Sequence, residues 1–128
     1  HSILAKQSLS KLRKSKFSFQ IGKSNWIMVG ITTGKQLNKP NVHQDPATFA
    51  YTHDGKFYVN RGSQGNYPTY KEGDEVSFTC DMKTGLIEVT LNNNFVGNHT
   101  ISKDHLDSET FYPFLYTNTN AGVGATFI

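Results

Sequence analysis

Apolar and polar residues alternate with period two along most of the chain from residue 17 onward. Phe17, Phe19 and Ile21 alternate with Ser18 and Gln20, Val76, Phe78 and Cys80 with Ser77 and Thr79, and Ile87, Val89 and Leu91 with Glu88 and Thr90. Successive side chains of a strand point to opposite faces, so each run predicts a strand with one face on a core and the other in water. Trp26 to Ile31 is apolar on both alternating sets, which predicts a central strand covered on both faces, with Trp26 and Phe78 in the core. Val123, Ala125 and Phe127 predict a closing strand, and no comparable stretch repeats at 3.6 residues.

Turn residues separate these runs at short intervals. Asp54-Gly55 lies between Phe49 to Thr52 and Lys56 to Asn60, a pair suited to a type I′ hairpin because both central residues of that turn need positive φ. Lys83-Thr84-Gly85 links Glu75 to Asp81 with Leu86 to Asn92, and Asn92-Asn93-Asn94 supplies residues tolerant of the left-handed region. About nine short strands at this spacing predict an all-β fold, a sandwich of two antiparallel sheets. Three connections are longer than a hairpin needs, Thr33 to Thr48, Arg61 to Asp74 and Ser102 to Phe111, and loops of that length usually carry either function or disorder. Ser102 can cap a short helical turn running to Leu106.

The charge is unevenly placed. Of thirteen basic residues, Lys6, Lys11, Arg13, Lys14 and Lys16 fall in the first sixteen positions, whereas the first acidic residue is Asp45. The chain carries a formal +3, yet residues 17–128 hold eight basic against ten acidic residues, so the folded body lacks the footprint of a nucleic-acid binder. Residues 1–16 therefore read as a basic arm or edge strand and residues 17–128 as the domain. Ile3, Leu4, Leu9 and Leu12 also form an imperfect helical stripe opposite the lysines, the pattern of a short membrane-surface or nucleic-acid-binding helix.

At 128 residues, 36% hydrophobic and 18% charged, the chain suits one globular domain, and no apolar run approaches the ~18 residues of a membrane span. Because the chain begins with His1, it is expected to be a domain excised from a larger protein. The single cysteine, Cys80, excludes an internal disulfide and a multi-cysteine zinc site, and together with the missing secretory signal it predicts an intracellular setting, cytoplasmic or nuclear. Cys80 alternates inward with Val76 and Phe78, as a buried hydrophobe does rather than a reactive thiol.

The sequence carries no recognisable catalytic constellation. Gly30 to Lys35 has one residue too few between its glycines for a phosphate loop, and Gln36 stands where Ser or Thr should hold magnesium. His1, His43, His53, His99 and His105 are too irregularly spaced for a metal motif. Glu72, Asp74 and Glu75 lack the ladder of a calcium loop, and Asn98-His99-Thr100 is a glycosylation tripeptide of a kind that chance produces often. No catalytic residue, metal or cofactor is therefore expected.

Taken in order, Trp26 through Ile31, Tyr51 with Asp54-Gly55-Lys56 and Tyr58, Gly73-Asp74-Glu75-Val76, Asp81, Gly85, Ile87, Asn92, Gly97 and Tyr112-Pro113-Phe114 resemble a SPRY domain over roughly residues 15–128. Asn93 departs from the pattern, since Gly is usual there. The resemblance implies a bent β-sandwich of two antiparallel sheets, of the concanavalin A-like jelly-roll kind, acting as a non-catalytic module that binds a protein or peptide. Such a module recruits substrates or serves as a scaffold within a larger chain and is expected to be monomeric in isolation.

The resemblance also implies recognition through loops: Gly22 to Asn25, Thr33 to Thr48, and Asn118 to Asn120. Within them Lys23, Asn25, Lys35, Gln36, His43, Asn118 and Asn120 are the candidate hydrogen-bonding contacts. Arg61, Tyr67 and Tyr70 of the second long connection add residue types enriched at binding hot spots, with packing over the sheet edge around Pro68 the alternative for the two tyrosines. A carbohydrate-binding, lectin-like sandwich is the alternative, since it shares the architecture and the chain has eleven asparagines and several tyrosines.

Overall fold

Strands form where the period-two runs predict them. The computed structural model describes residues 2–4, 8–22, 26–33, 48–59, 62–64, 66–117 and 125–127. In chain order the elements are β1 (Ser2–Leu4), β2 (Lys14–Ile21), β3 (Ile27–Thr32), β4 (Phe49–Thr52), β5 (Phe57–Val59), β6 (Gly62–Gln64), β7 (Glu75–Asp81), β8 (Leu86–Leu91), β9 (Asn94–Thr100), α1 (Lys103–Ser108), β10 (Tyr112–Thr117) and β11 (Ala125–Phe127). One sheet runs β1-β10-β3-β4-β5-β6 and the other β11-β2-β7-β8-β9, with every pairing antiparallel.

The alternating sets face each other between the sheets. Phe17, Phe19 and Ile21 of β2, Val76, Phe78 and Cys80 of β7, and Ile87 and Val89 of β8 pack on Ile27, Val29 and Ile31 of β3, Phe49 and Tyr51 of β4, Phe57 of β5, and Leu115 of β10. Phe17 stacks on Phe78 with centroids 5.3 Å apart, and Phe19 meets both rings edge-on. On the outer face of the second sheet, Ser18 and Ser77 share a buried hydroxyl–hydroxyl hydrogen bond of 2.7 Å across β2 and β7.

β3 is buried along its whole length, as its two-sided apolar pattern requires. Its second face, with Met28, joins Ala50 and Phe114 in a small separate cluster flanked by half-buried Trp26 and Tyr116. Trp26 thus precedes the strand and borders this outer cluster; it is not a residue of the main core. Its register explains why: Trp26 shares parity with Met28, not with Ile27, Val29 and Ile31.

The turns correct one assignment. At the β4–β5 turn only Gly55 has positive φ (92°), the Thr52 amide donates to Lys56 and the Gly55 amide to Thr52. This is a three-residue connection with glycine in the left-handed position rather than a type I′ turn. Two consecutive positive φ values occur instead at Asn92 (51°) and Asn93 (67°), between the register partners Leu91 and Asn94 of β8 and β9. Ser102 caps α1 by accepting from the His105 amide at 3.4 Å.

Two differences concern short elements. Eleven strands form among the described residues rather than about nine, and the pieces without a period-two signal, such as β1 and β6, are three residues long. Among the described residues of the N-terminal segment no helix forms: residues 2–4 are a strand on β10, Leu9 is buried with its amide donating to Phe111, residues 11–13 make a bend, and Lys14 already belongs to β2. Among the described residues no helix is long and apolar enough to cross a membrane.

Between β6 and β7, residues 66–70 cross from one sheet to the other as an irregular strap. The Tyr67 amide donates to Gly55 (2.9 Å), the Tyr70 amide to His53 (3.0 Å) and the Tyr51 hydroxyl to Pro68 (2.5 Å). Tyr67 reaches β9, where its hydroxyl shares a hydrogen bond with His99 Nε2 and His99 stacks on Phe57 at 3.9 Å. Only glycine fits beneath that hydroxyl, since a Cβ on Gly97 would lie 2.5 Å from it.

Candidate functional site

Three chain reversals gather at one end of the sandwich, and hydrogen bonds fix them to one another. β2 ends at Ile21, whose amide donates to Asp74 and whose carbonyl accepts from Gly73, both at 2.9 Å. The Asp74 carboxylate accepts from the Lys71 amide through one oxygen (2.9 Å) and from Asn92 Nδ2 through the other (3.1 Å). Asp74 is thereby committed to holding the 71–74 turn against the β8–β9 turn. β3 begins at Ile27, which exchanges hydrogen bonds with His53: its amide donates to Nδ1 at 3.3 Å and its carbonyl accepts from the His53 amide at 3.0 Å. An accepting Nδ1 leaves Nε2 to carry the proton.

A cleft of about 140 Å³ lies between these reversals, lined by Ile21, Gly22, Ile27, His53, Tyr70, Lys71 and Glu72. Its floor is apolar and its rim carries one ammonium, one carboxylate and one imidazole. The floor is rigid because the Tyr70 hydroxyl donates to the Tyr51 carbonyl at 2.7 Å and reaches that of Ile27 at 3.4 Å. Burial, with smaller contributions from Tyr51 and Asp54, raises the Tyr70 phenol well above its ordinary value, so it stays a donor. Beside the cleft, Trp26 meets His53 and Tyr116 edge-on at 6.1 and 5.6 Å, a half-buried aromatic group of the kind enriched in interface anchors.

A second cleft, about 430 Å³, lies at the opposite end of β7, lined by Lys83, Thr84, Thr100, Ile101, Ser102, Lys103, Leu106 and Asp107. Two of its three hydroxyls are already engaged: Ser102 caps α1, and Thr84 Oγ1 accepts from the Leu86 amide. The first cleft has the better-defined floor and the aromatic border.

Of the residues singled out by sequence, Lys23, Asn25, Lys35, Gln36, His43, Arg61, Asn118 and Asn120 lie outside the described residues. Tyr70 is 3% exposed and belongs to the scaffold; it contributes cleft floor and no free hydroxyl. Tyr67 is partly buried against Tyr51, Phe57 and His99. The strand ends flanking positions 23–25 and 118–120 lie together, since Ile27 and Thr117 are register partners, whereas Thr32 and Thr48, which flank the 34–47 connection, sit at the other end of β3. The segment resembling a phosphate loop is strand through Thr32. Sequence reasoning passed over His53 and the border role of Trp26; the signal was there, in a Trp one position ahead of the inward-facing set.

Cys80 is wholly buried, and desolvation pushes its thiol up to about 12, so it is no nucleophile near neutral pH. Among the described residues no group of three or more His, Cys, Asp or Glu side chains gathers as a metal site.

A family model for the SPRY domain matches residues 14–128. The SPRY domain of human HERC1 superposes with a TM-score of 0.73 at 20% identity, covering 98% of this chain and 79% of that one. A second human SPRY domain gives 0.70 at 17% identity, covering 98% and 82%, and the TRIM65 PSpry domain 0.72 at 12%, covering 98% and 68%. At these identities the likenesses concern the fold. No curated protein sequence matches the chain.

Proposed function

We propose a function from one premise: the chain belongs to the SPRY domain family, a family of protein-interaction modules. The proposed module is non-catalytic, forms part of a larger protein in a recruiting or scaffolding role, and seats a short segment of its partner at the end of the sandwich where β2 and β4 end and the 71–74 turn lies. The observation that carries this reading is the cleft lined by Ile21, Ile27, His53 and Tyr70 beside half-buried Trp26. A pre-formed apolar pocket with few polar groups at its rim takes one apolar anchor of a peptide, while the backbone and rim charges set its orientation. Lys23 and Asn25 follow Gly22, and Asn118 and Asn120 follow Thr117, so these four are the rim contacts favoured by the reading. Thr32 and Thr48, which flank the connection holding Lys35, Gln36 and His43 in sequence, sit at the far end of β3, so those three are assigned a lesser part.

Selection of a random peptide library on the purified chain, followed by amide shift mapping with a selected peptide, tests the site. Expected are peptides sharing an apolar anchor, shifts centred on residues 21–22, 27, 53 and 70–72, and a loss of roughly thirtyfold in affinity or more for Trp26→Ala. Shifts confined to the outer face of the second sheet would overturn the assignment. Binding on a glycan array with no peptide selected would favour the carbohydrate reading.

A further inference from the structure

The bend that leads into β2 concentrates positive charge around one exposed apolar side chain. Lys11, Arg13, Lys14 and Lys16 are all exposed, and none forms an ion pair with a described residue. Leu12 stands among them 79% exposed, one of two large hydrophobic side chains so placed among the described residues. The bend is held from both sides: buried Leu9 donates its amide to Phe111, Ser10 Oγ accepts from the Leu12 amide at 3.1 Å, and Lys14 enters β2 opposite Asp81. Asp81, the register partner of Lys14, turns one carboxylate oxygen to the Lys83 amide in the β7–β8 turn at 3.0 Å, and among the described residues the three other cations have no carboxylate opposite them.

We propose that this bend is a peripheral docking tip for an anionic lipid surface, with Leu12 entering the headgroup layer and Lys11, Arg13, Lys14 and Lys16 contacting the headgroups. Shape favours this occupant over an acidic peptide. Neither cleft described above includes a residue from 11 to 16, and a peptide needs a groove, whereas an exposed bend with one apolar side chain among four cations fits a soft planar surface. Leu12 without its cations would give negligible affinity, and the cations without Leu12 would give binding that salt abolishes; together they supply two weak signals of different kind. The inference is independent of the peptide cleft, which lies at the other end of β2.

The probe is vesicles of phosphatidylcholine alone or with about one-third phosphatidylserine, sedimented with the 128-residue chain. Binding is expected to the anionic vesicles only, to fall steeply by about 0.5 M salt, and to weaken roughly fivefold for each cation neutralised in Lys11→Gln and Arg13→Gln. Because Cys80 is buried, Leu12→Cys gives a single accessible thiol for an environment-sensitive dye. That dye should shift blue and become shielded from iodide on anionic vesicles. Equal partition into both vesicle types, a dye that stays in water, or indifference to the Lys11 and Arg13 changes would each overturn the proposal. Binding to polyglutamate with no vesicle binding would reassign the tip to an acidic protein and overturn it as well.

Discussion

One methyl group added at Gly97 should unseat the strap that ties the two sheets together. In Gly97→Ala the new Cβ would lie 2.5 Å from the Tyr67 hydroxyl oxygen and 2.9 Å from the ring carbon bearing it. The ring has little room to retreat, since the Tyr67 amide is bonded to Gly55 and the ring packs on Tyr51 and Phe57 at 5.5 and 5.6 Å. Overpacking of this kind costs about 1–3 kcal/mol, and losing the Tyr67–His99 hydrogen bond in a half-buried setting costs about 1–2 kcal/mol more. Against this, alanine in a strand gains roughly 0.5–1 kcal/mol over glycine. The net expectation is a loss of about 2–3 kcal/mol, or a fall in Tm of roughly 8–12 °C for a domain of this size. Urea unfolding followed by the fluorescence of the single tryptophan, Trp26, measures it. The decisive comparison is a double-mutant cycle with Tyr67→Ala, in which Gly97→Ala should cost nearly nothing once the ring is gone. If Gly97→Ala costs as much with Tyr67 absent as with it present, the clash is not the cause and the reasoning fails.

Three other outcomes are expected. Phe78→Ala should destabilise by about 3–5 kcal/mol, because Phe78 is fully buried between Phe17, Phe19 and Phe57, whereas Trp26→Ala should cost about 1–2 kcal/mol from its half-buried border position; equal losses in urea unfolding would contradict the placement. Burial lowers the pKa of His99, so the unfolded chain binds the proton more readily and stability should fall as pH drops below about 6.5; urea midpoints across that range should decline, and His99→Gln should flatten the decline. Cys80 should resist thiol reagents in the folded chain and react on unfolding, and a rapid reaction under native conditions would show the core to be open.

The long strands were legible because burial on one face imposes period two over six to eight residues, as in β2 and β8. β1 and β6 span three residues each, too few to display a period, and owe their pairing to the neighbours β10 and β5. The type I′ turn was assigned to Asp54-Gly55 on residue preference, yet Thr52 Oγ1 donates to Asp54 and accepts from the Lys56 amide, a local network that favours the longer connection. Tyr70 reads as a loop residue until its carbonyl partners on Tyr51 and Ile27 are known, and these lie far off in sequence. The cleft was invisible for the same reason: Ile21, His53 and Tyr70 become neighbours only through tertiary hydrogen bonds.

The order of strands within the two sheets also bears on how the chain reaches this state. β7, β8 and β9 are consecutive in sequence and adjacent in space, joined by short turns, so residues 75–100 close through local loops. β2, by contrast, pairs with β7 across most of the first half of the chain, and Thr32 of β3 meets Tyr112 of β10 near its far end. Closing such long loops loses entropy before any contact rewards it, which places two-sheet topologies among the slow folders, on the millisecond-to-second scale. The β7–β9 meander is thus the expected nucleus, and the β3–β10 pairing should be among the last to gain amide protection in pulsed hydrogen exchange.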